Sequence, residues 1–350
     1  MIAQAGFVMS AQLPDGAITS YPGNGKVNPY IGNYAAMGLA ASARITGSSL
    51  ASAAAWKWLA WYQSSENPQG FVSNAVVENG ATVPVSGADS TDATSGTFLL
   101  AVALAHRADP QLALLQDLAP GIAGAIRAIT ATQQQSGLTW ARPGFHTTYL
   151  MDEAEAYAGL LAGAELAGTL GNHALASVAT MSATRLAAAV ALLWNRQSGA
   201  YDWAAGPRGT LESTSWSILY PDAMEQVWAV AFGLATGRRA AAMMERLAAS
   251  EPTWDQPGSP AQLLTGSTVA TGPAGYWPLG AWASIASGNP AAAAAELETI
   301  SSGANAAHEA WPYTPGTAGE QMVAEASLWQ IAAAGAGAAA AIEPLRPTAS

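Results

Sequence analysis

The links between helices constrain this chain more than the helices do. Apolar residues recur at helical spacing over about twelve segments: 1–12, 29–46, 48–65, 90–108, 110–135, 149–170, 172–195, 220–236, 238–249, 276–287, 289–301 and 320–341. Five links are tight: Thr46-Gly47, Ala108-Asp109-Pro110, Leu170-Gly171-Asn172, Thr236-Gly237 and Ser287-Gly288-Asn289-Pro290. Gly supplies the left-handed residue that closes one helix, and Pro opens the next. Each tight link therefore makes an antiparallel pair. The remaining links, near 13–28, 66–89, 136–148, 196–219, 250–275 and 302–319, are long and rich in Gly, Pro, Trp, Asn and Thr. Tight and long links alternate, so every long loop falls at one end of the molecule. This predicts an all-α (α/α)6 toroid of six helical hairpins, with the helices that follow the long loops on the inside. A weak repeat of roughly 50–60 residues agrees with it. Phe71–Val77 and Ala81–Val85 read as a short β-hairpin within one long loop. One domain is expected over 1–341, with a tail at 342–350; an open solenoid of the same pairs is the alternative.

Charge narrows the function classes. Thirteen Lys and Arg stand against 24 Asp and Glu, a net charge of −11, and charged residues make up only 11% of the chain. A phosphate-binding surface needs clustered cations, which argues against nucleic acid; an apolar half argues against disorder. There is no Cys, and the four His stand far apart in sequence. No paired metal-ligand spacing results, so no metal or cofactor is expected. The longest bland stretch, Ala332 to Ile342, has about 11 residues where a membrane span needs about 20. The opening MIAQAGFVMSAQLPDG has no basic n-region or long apolar core. A cytoplasmic chain is the expectation unless a leader precedes it, as a monomer or weak homodimer.

The few carboxylates collect where long loops meet the predicted inner helices. Asp15 lies in the first long loop. Asp89 and Asp92 open one helix, Asp152, Glu153 and Glu155 the next, Asp222 and Glu225 another, and Glu320 and Glu325 the last. Acids at i and i+3 share a helix face. First-turn acids also cap helices and complement the helix dipole, but the predicted outer helices start with little acid. Trp and Tyr, 13 and 10 against five Phe, show the same bias; Tyr30, Trp140, Tyr149, Trp203, Trp216, Tyr220 and Trp311 are examples. Their apolar faces and polar edges suit a sugar, which is likewise apolar on one face and polar at its rim. Two carboxyls flanking a glycosidic bond suffice for hydrolysis, one as acid and one as base or nucleophile.

The motifs QLPDGAI, NPYIGNYAAMGL, DSTDATSGTFLLA, GLTWARPGF, TYLMDEAEAYAGL and YPDAMEQVW resemble, in this order and over nearly the whole chain, bacterial members of the six-hairpin glycosidase superfamily. The resemblance implies a toroid and a glycoside hydrolase, with inversion of the anomeric centre by analogy. STDATSGTFLLAVAL is also similar to the T-D-A-D helix of a bacterial cellulase family with this toroid. That similarity implies that Asp92 meets the sugar at the cleavage site. The cellulases' proton-donor glutamate has no counterpart here, where Asn28-Pro29-Tyr30 stands instead, so the donor would be Asp15, Asp152 or Glu153.

The reading is a glycoside hydrolase of an oligo- or polysaccharide with Asp15, Asp92, Asp152 and Asp222 as candidate catalytic acids. Asp89, Glu153, Glu155, Tyr30, Trp140, Tyr149, Trp216, Tyr220 and Trp311 are the candidate sugar contacts. Two alternatives are a polysaccharide lyase using Arg142 and His146, and a saccharide-binding protein without catalysis. The sequence does not distinguish donor from base.

Overall fold

The computed structural model describes residues 1–85, 87, 90–265, 267–275, 277–302 and 322–337. Asp89, Trp311, Glu320 and the expected tail at 342–350 lie outside the described residues.

Thirteen helices run through the described residues: α1 (Ile2–Ser10), α2 (Pro29–Thr46), α3 (Ser49–Ser64), α4 (Thr91–Ala108), α5 (Leu112–Asp117), α6 (Ala119–Thr132), α7 (Leu150–Thr169), α8 (His173–Ala191), α9 (Asp222–Ala231), α10 (Gly237–Ser250), α11 (Pro278–Ala286), α12 (Pro290–Ser302) and α13 (Val323–Gly337). Helix α2 packs on α4, α4 on α7, α7 on α9, α9 on α11, α11 on α13, and α13 returns to α2. Each of these six carries one outside partner: α3, α6, α8, α10, α12 and α1, in that order. The burial of each class follows its composition. Every residue of α9 is buried, whereas α10 buries only Ala240, Met243 and Leu247, one stripe of an amphipathic helix. Helix α8 is long and apolar enough by composition to cross a membrane; here it packs along α7.

The tight links work as their residues dictate. Gly47 at φ +69° closes α2, and the Ser48 side chain then caps α3 by accepting from the Ala51 N–H. At the start of α2, Asn28 accepts from the Tyr30 N–H at 3.0 Å with Pro29 in the first turn. Two expected helices differ. The segment 110–135 splits into α5 and α6 because Pro120 brings no N–H to the helical ladder. Gln63 of α3 bridges the break, donating to the Asp117 carbonyl and accepting from the Gly121 N–H. The segment 220–236 ends early, at Ala231, where Gly233 at φ +80° turns the chain and the Ala235 N–H bonds back to the Ala229 carbonyl.

Ten short strands occupy the long loops: β1 (Lys26–Val27), β2 (Ala75–Glu78), β3 (Ala81–Pro84), β4 (Thr148–Tyr149), β5 (Trp194–Asn195), β6 (Ala200–Tyr201), β7 (Ala204–Ala205), β8 (Leu211–Glu212), β9 (Pro260–Thr265) and β10 (Thr268–Pro273). The expected hairpin is β2–β3, with β1 added at its edge. Strands β4, β7 and β8 form a second sheet, which places Tyr149 and α7 beside the 196–219 loop.

Helices α4 and α7 cross at backbone contact. A methyl on Gly159 would collide with the Gly96 backbone. This crossing brings the first turns of α4 and α7 together, and with them Asp92 and Asp152. Gly159→Ala is expected to cost about 1–3 kcal/mol through overpacking. Gly168→Ala, on the same helix with nothing within 4 Å of the added carbon, is expected to be neutral or stabilising. Thermal melts of the two variants make the comparison; equal melting temperatures would mean that the crossing is not under contact pressure.

Candidate active site

A cavity of about 620 Å³ lies against the starts of four helices of the inner circuit. Tyr30 comes from α2, Ser90 from the cap position of α4, Met151 and Asp152 from α7, and Glu225 from α9, with Tyr149, Arg142, Trp203 and Tyr220 from the intervening loops. Long loops and inner-helix starts thus meet on one opening, because each inner helix begins where a long loop delivers it.

Among the described residues, two carboxyls reach the cavity. Asp152 is 3% exposed and Glu225 1%. Burial pushes the Asp152 carboxyl well above the usual range, and the charges of Asp92, Glu155 and Glu225 push it further; the Ser90 hydroxyl opposes them. Glu225 is also raised well above its ordinary value by burial. It differs in its partners: the Met151 N–H donates to Oε2 at 3.3 Å, and the Leu150 N–H also favours the anion. Both are first-turn N–H groups of α7, an end that attracts negative charge; the Leu150 N–H also donates to the Trp203 carbonyl at 2.9 Å. Burial raises Tyr149 as well, with added repulsion from Asp152 and Glu225, which line the same cavity.

Three further carboxyls sit behind these. Glu155 is fully buried. Its Oε1 accepts from the Tyr30 hydroxyl at 2.7 Å, from the Tyr34 hydroxyl and from the Trp228 indole N–H at 3.0 Å. One carboxyl oxygen thereby ties α2, α7 and α9 and orients Tyr30 at the cavity wall. Burial, outweighing these donors, raises Glu155 to about 8. Asp92 and Glu153 are also fully buried. The Ser90 hydroxyl donates to Asp92 Oδ1 at 2.6 Å and lies 3.0 Å from Asp152 Oδ2. Asp92 is one hydroxyl removed from the cavity carboxyl.

The remaining expected site residues do other work. Asp222 is buried but does not line the cavity; its Oδ2 accepts from the Ser215 N–H at 2.8 Å and fixes the preceding loop. The cavity carboxyl of α9 is Glu225, one turn onward on the same face. Asp15 is exposed and does not line the cavity: Oδ1 accepts from the Ala17 N–H, a local turn, and Oδ2 from the Thr82 hydroxyl of β3. Trp140 stacks on His146 at 3.8 Å, outside the cavity lining. Trp216 is buried, its indole N–H donating to the Ser198 carbonyl at 2.9 Å. Tyr149 lies parallel to Trp203 with ring centres 6.3 Å apart, and Tyr220 to Trp277 at 5.8 Å. Among the described residues, Tyr30, Phe145, Tyr149, Trp203 and Tyr220 therefore form the aromatic wall. Of these, Trp203 was visible in sequence only as one loop aromatic among many. Among the described residues, no group of three or more His, Cys, Asp or Glu is placed to hold a metal ion.

Solved structures share this architecture. A wild-type glycosidase is 16% identical with TM-score 0.70, and a glutamate-to-alanine glycosidase variant in complex with glucose is 16% identical with TM-score 0.68; both matches cover 95% of each chain. The fold is that of these glycosidases. A GH63 mannosylglycerate hydrolase from Thermus thermophilus in complex with glucose is 12% identical over 95% of this chain and 98% of its own, with TM-score 0.67. No family model and no curated protein sequence matches the chain.

Proposed function

We propose that the chain is an inverting glycoside hydrolase on an (α/α)6 toroid, with Asp152 as general acid and Glu225 as general base. The closed circuit of six helices, each with one outer partner, supports the toroid. The observation that carries the chemistry is the pair of carboxyls from α7 and α9 on one aromatic-walled cavity, in unlike surroundings. Burial raises both carboxyls; Asp152 is crowded further by three acids and takes the protonated role, whereas the N–H groups of α7 oppose the rise at Glu225, which takes the base role. Unlike surroundings for two carboxyls are how an acid and a base coexist at neutral pH, and they support this choice of roles. Asp152 protonates the leaving oxygen while Glu225 takes a proton from the attacking water, and the developing sugar cation lies between the two carboxyl groups. A cavity of this size suits a short glycoside or a chain end. The raised Tyr149 is a poor base, which disfavours a lyase. Arg142 at the cavity suits an acidic aglycone, and the fold likeness to a mannosylglycerate hydrolase makes glycosylglycerates rational test substrates.

The test is a panel of α- and β-linked disaccharides and glycosylglycerates followed by proton NMR. The expected result is release of a sugar whose first-formed anomer is opposite to that of the substrate. A first-formed anomer of the same configuration would overturn inversion. Saturable sugar binding without turnover on the panel would replace the hydrolase with a binding protein.

A further inference from the structure

The cavity carboxyl Asp152 is the end of a longer chain of oxygen atoms. Ser90 Oγ stands 3.0 Å from Asp152 Oδ2 and 2.6 Å from Asp92 Oδ1. Thr139 Oγ1 stands 2.5 Å from Asp92 Oδ2 and 2.9 Å from Glu153 Oε1. Three carboxyls are thus strung together by two hydroxyls, drawn from the cap of α4, the loop before α7 and the first turn of α7. The Ala141 carbonyl is also near Ser90, at the longer distance of 3.4 Å.

The proton count decides what this chain is. Each hydroxyl has one proton and two carboxyl neighbours. Two of the four close contacts are filled by hydroxyl protons, and the other two require protons from carboxyls. The filled chain therefore holds two carboxyl protons and one negative charge. Three arrangements satisfy every contact. Asp152 and Glu153 are protonated and Asp92 is the anion, accepting from both hydroxyls; Asp152 and Asp92 are protonated and Glu153 is the anion; or Glu153 and Asp92 are protonated and Asp152 is the anion. The last converts to the second, by way of the Asp92 anion, when the proton in each contact moves one oxygen along: four O–H bonds break and four form. The net change is a proton passed from Glu153 to Asp152.

We propose that Glu153, Thr139, Asp92, Ser90 and Asp152 form a proton relay that lets the cavity carboxyl gain or lose its proton without exchange with solvent. Asp92 and Glu153 are positioning residues in this scheme. Glu153 stores a proton at 0% exposure, where its Oε2 has no hydrogen-bond partner. A permanent charge on such an oxygen is costly, and sharing it along the chain relieves the cost. Glu153 Oε1 also accepts the Thr139 N–H at 2.6 Å, which makes the anionic arrangement accessible in turn. Among the described residues, the other ionisable groups that act on the chain are Glu155 and Glu225, which repel Asp152, and Tyr149 on the same cavity wall. The geometry stands without the hydrolase reading; the relay's service in turnover rests on it.

The test cuts each hydroxyl bridge and reads the carboxyl at the far end. Carbon-13 NMR of the full chain, labelled at Asp and Glu carboxyls and assigned with Asp152→Asn and Glu153→Gln, follows both titrations without any substrate. Thr139→Val removes no charge and does not touch Asp152. It confines the charge to Asp92 and Asp152, so the Asp152 titration is expected to move up by about one pH unit, as for neighbouring like charges. Thr139→Ser is expected to restore it. Ser90→Ala is expected to move Glu153 up in the same way, and it carries the test if Thr139→Val does not fold. An Asp152 titration that ignores Thr139→Val, or a Glu153 titration that ignores Ser90→Ala, would overturn the relay. A shifted titration with no sugar turnover would remove the hydrolase and leave the relay; turnover with unmoved titrations would do the reverse.

Discussion

On the proposed assignment, Asp152→Asn and Glu225→Gln are each expected to lower kcat/KM for glycoside hydrolysis by about 10³-fold, within the range that positioned acids and bases contribute. The two variants should fail differently. Asp152→Asn removes the proton donor, so substrates with a good leaving group, which need little protonation, recover much of the rate. Glu225→Gln removes activation of water, and no leaving group restores it; a small anion such as azide does, by acting as the nucleophile. Asp15→Ala is the control. Asp15 binds a turn N–H and the Thr82 hydroxyl, so its loss should leave kcat and KM within about twofold of wild type, as expected of a surface change remote from the reacting groups. Neither cavity substitution should lower the melting temperature, because each replaces a buried, repelled acid by a neutral amide of the same shape. Full activity in either cavity variant would remove that residue from the chemistry, and loss of activity in Asp15→Ala would return the first loop to the site.

The helical hairpins were legible because their boundaries are written in local chemistry. Thr46-Gly47-Ser48 ends one helix and caps the next whatever surrounds it. The site was legible only to the resolution of a helix turn. Sequence placed acids at the starts of α4, α7 and α9, but it could not say which side of each turn faces inward. At α9, Asp222 and Glu225 both open the helix. The choice falls to Glu225 because Asp222 is already committed to the Ser215 N–H of its own loop. At α7, three acids in four residues point three ways: Asp152 to the cavity, Glu153 to Thr139, and Glu155 to Tyr30, Tyr34 and Trp228. In the last case the partners stand 73 to 125 residues away along the chain, and no local pattern encodes such a direction. Asp15 shows the same limit from the other side. Its motif looks like a site loop, but its hydrogen bonds belong to a turn and a hairpin.

The melting temperature of this protein is expected to fall from pH 5 to pH 8, by roughly 10 °C. Most proteins lose stability when their paired carboxylates are protonated. Here the buried acids have almost no cations beside them: the one ion pair among the described residues, Arg107 with Glu165, is at the surface. Burial raises Glu66 and Glu155 to about 8, and Glu296 and Glu325 to about 7, from an ordinary 4.5. Between pH 4.5 and those values the folded chain holds protons that the unfolded chain releases. Stability from this source is therefore complete below about pH 4.5 and is lost as pH rises through 7 to 8. A carboxyl that folding holds one pH unit above its ordinary value contributes about 1.36 kcal/mol, less where solvent screens it. The net charge of −11 at pH 7 adds repulsion in the same direction. Glu296 isolates one contribution. It lies on α12 outside the inner circuit, with Oε1 accepting the Ser284 hydroxyl at 2.8 Å and Oε2 unpartnered. Glu296→Gln is expected to raise the melting temperature at pH 8 by roughly 3 °C and to leave it unchanged at pH 5. Melts at half-unit intervals across this window measure both slopes. A melting temperature that is level or rises between pH 5 and pH 8 would mean that these carboxyls are ionised in the folded state, which would also remove the ground for a protonated Asp152 at neutral pH.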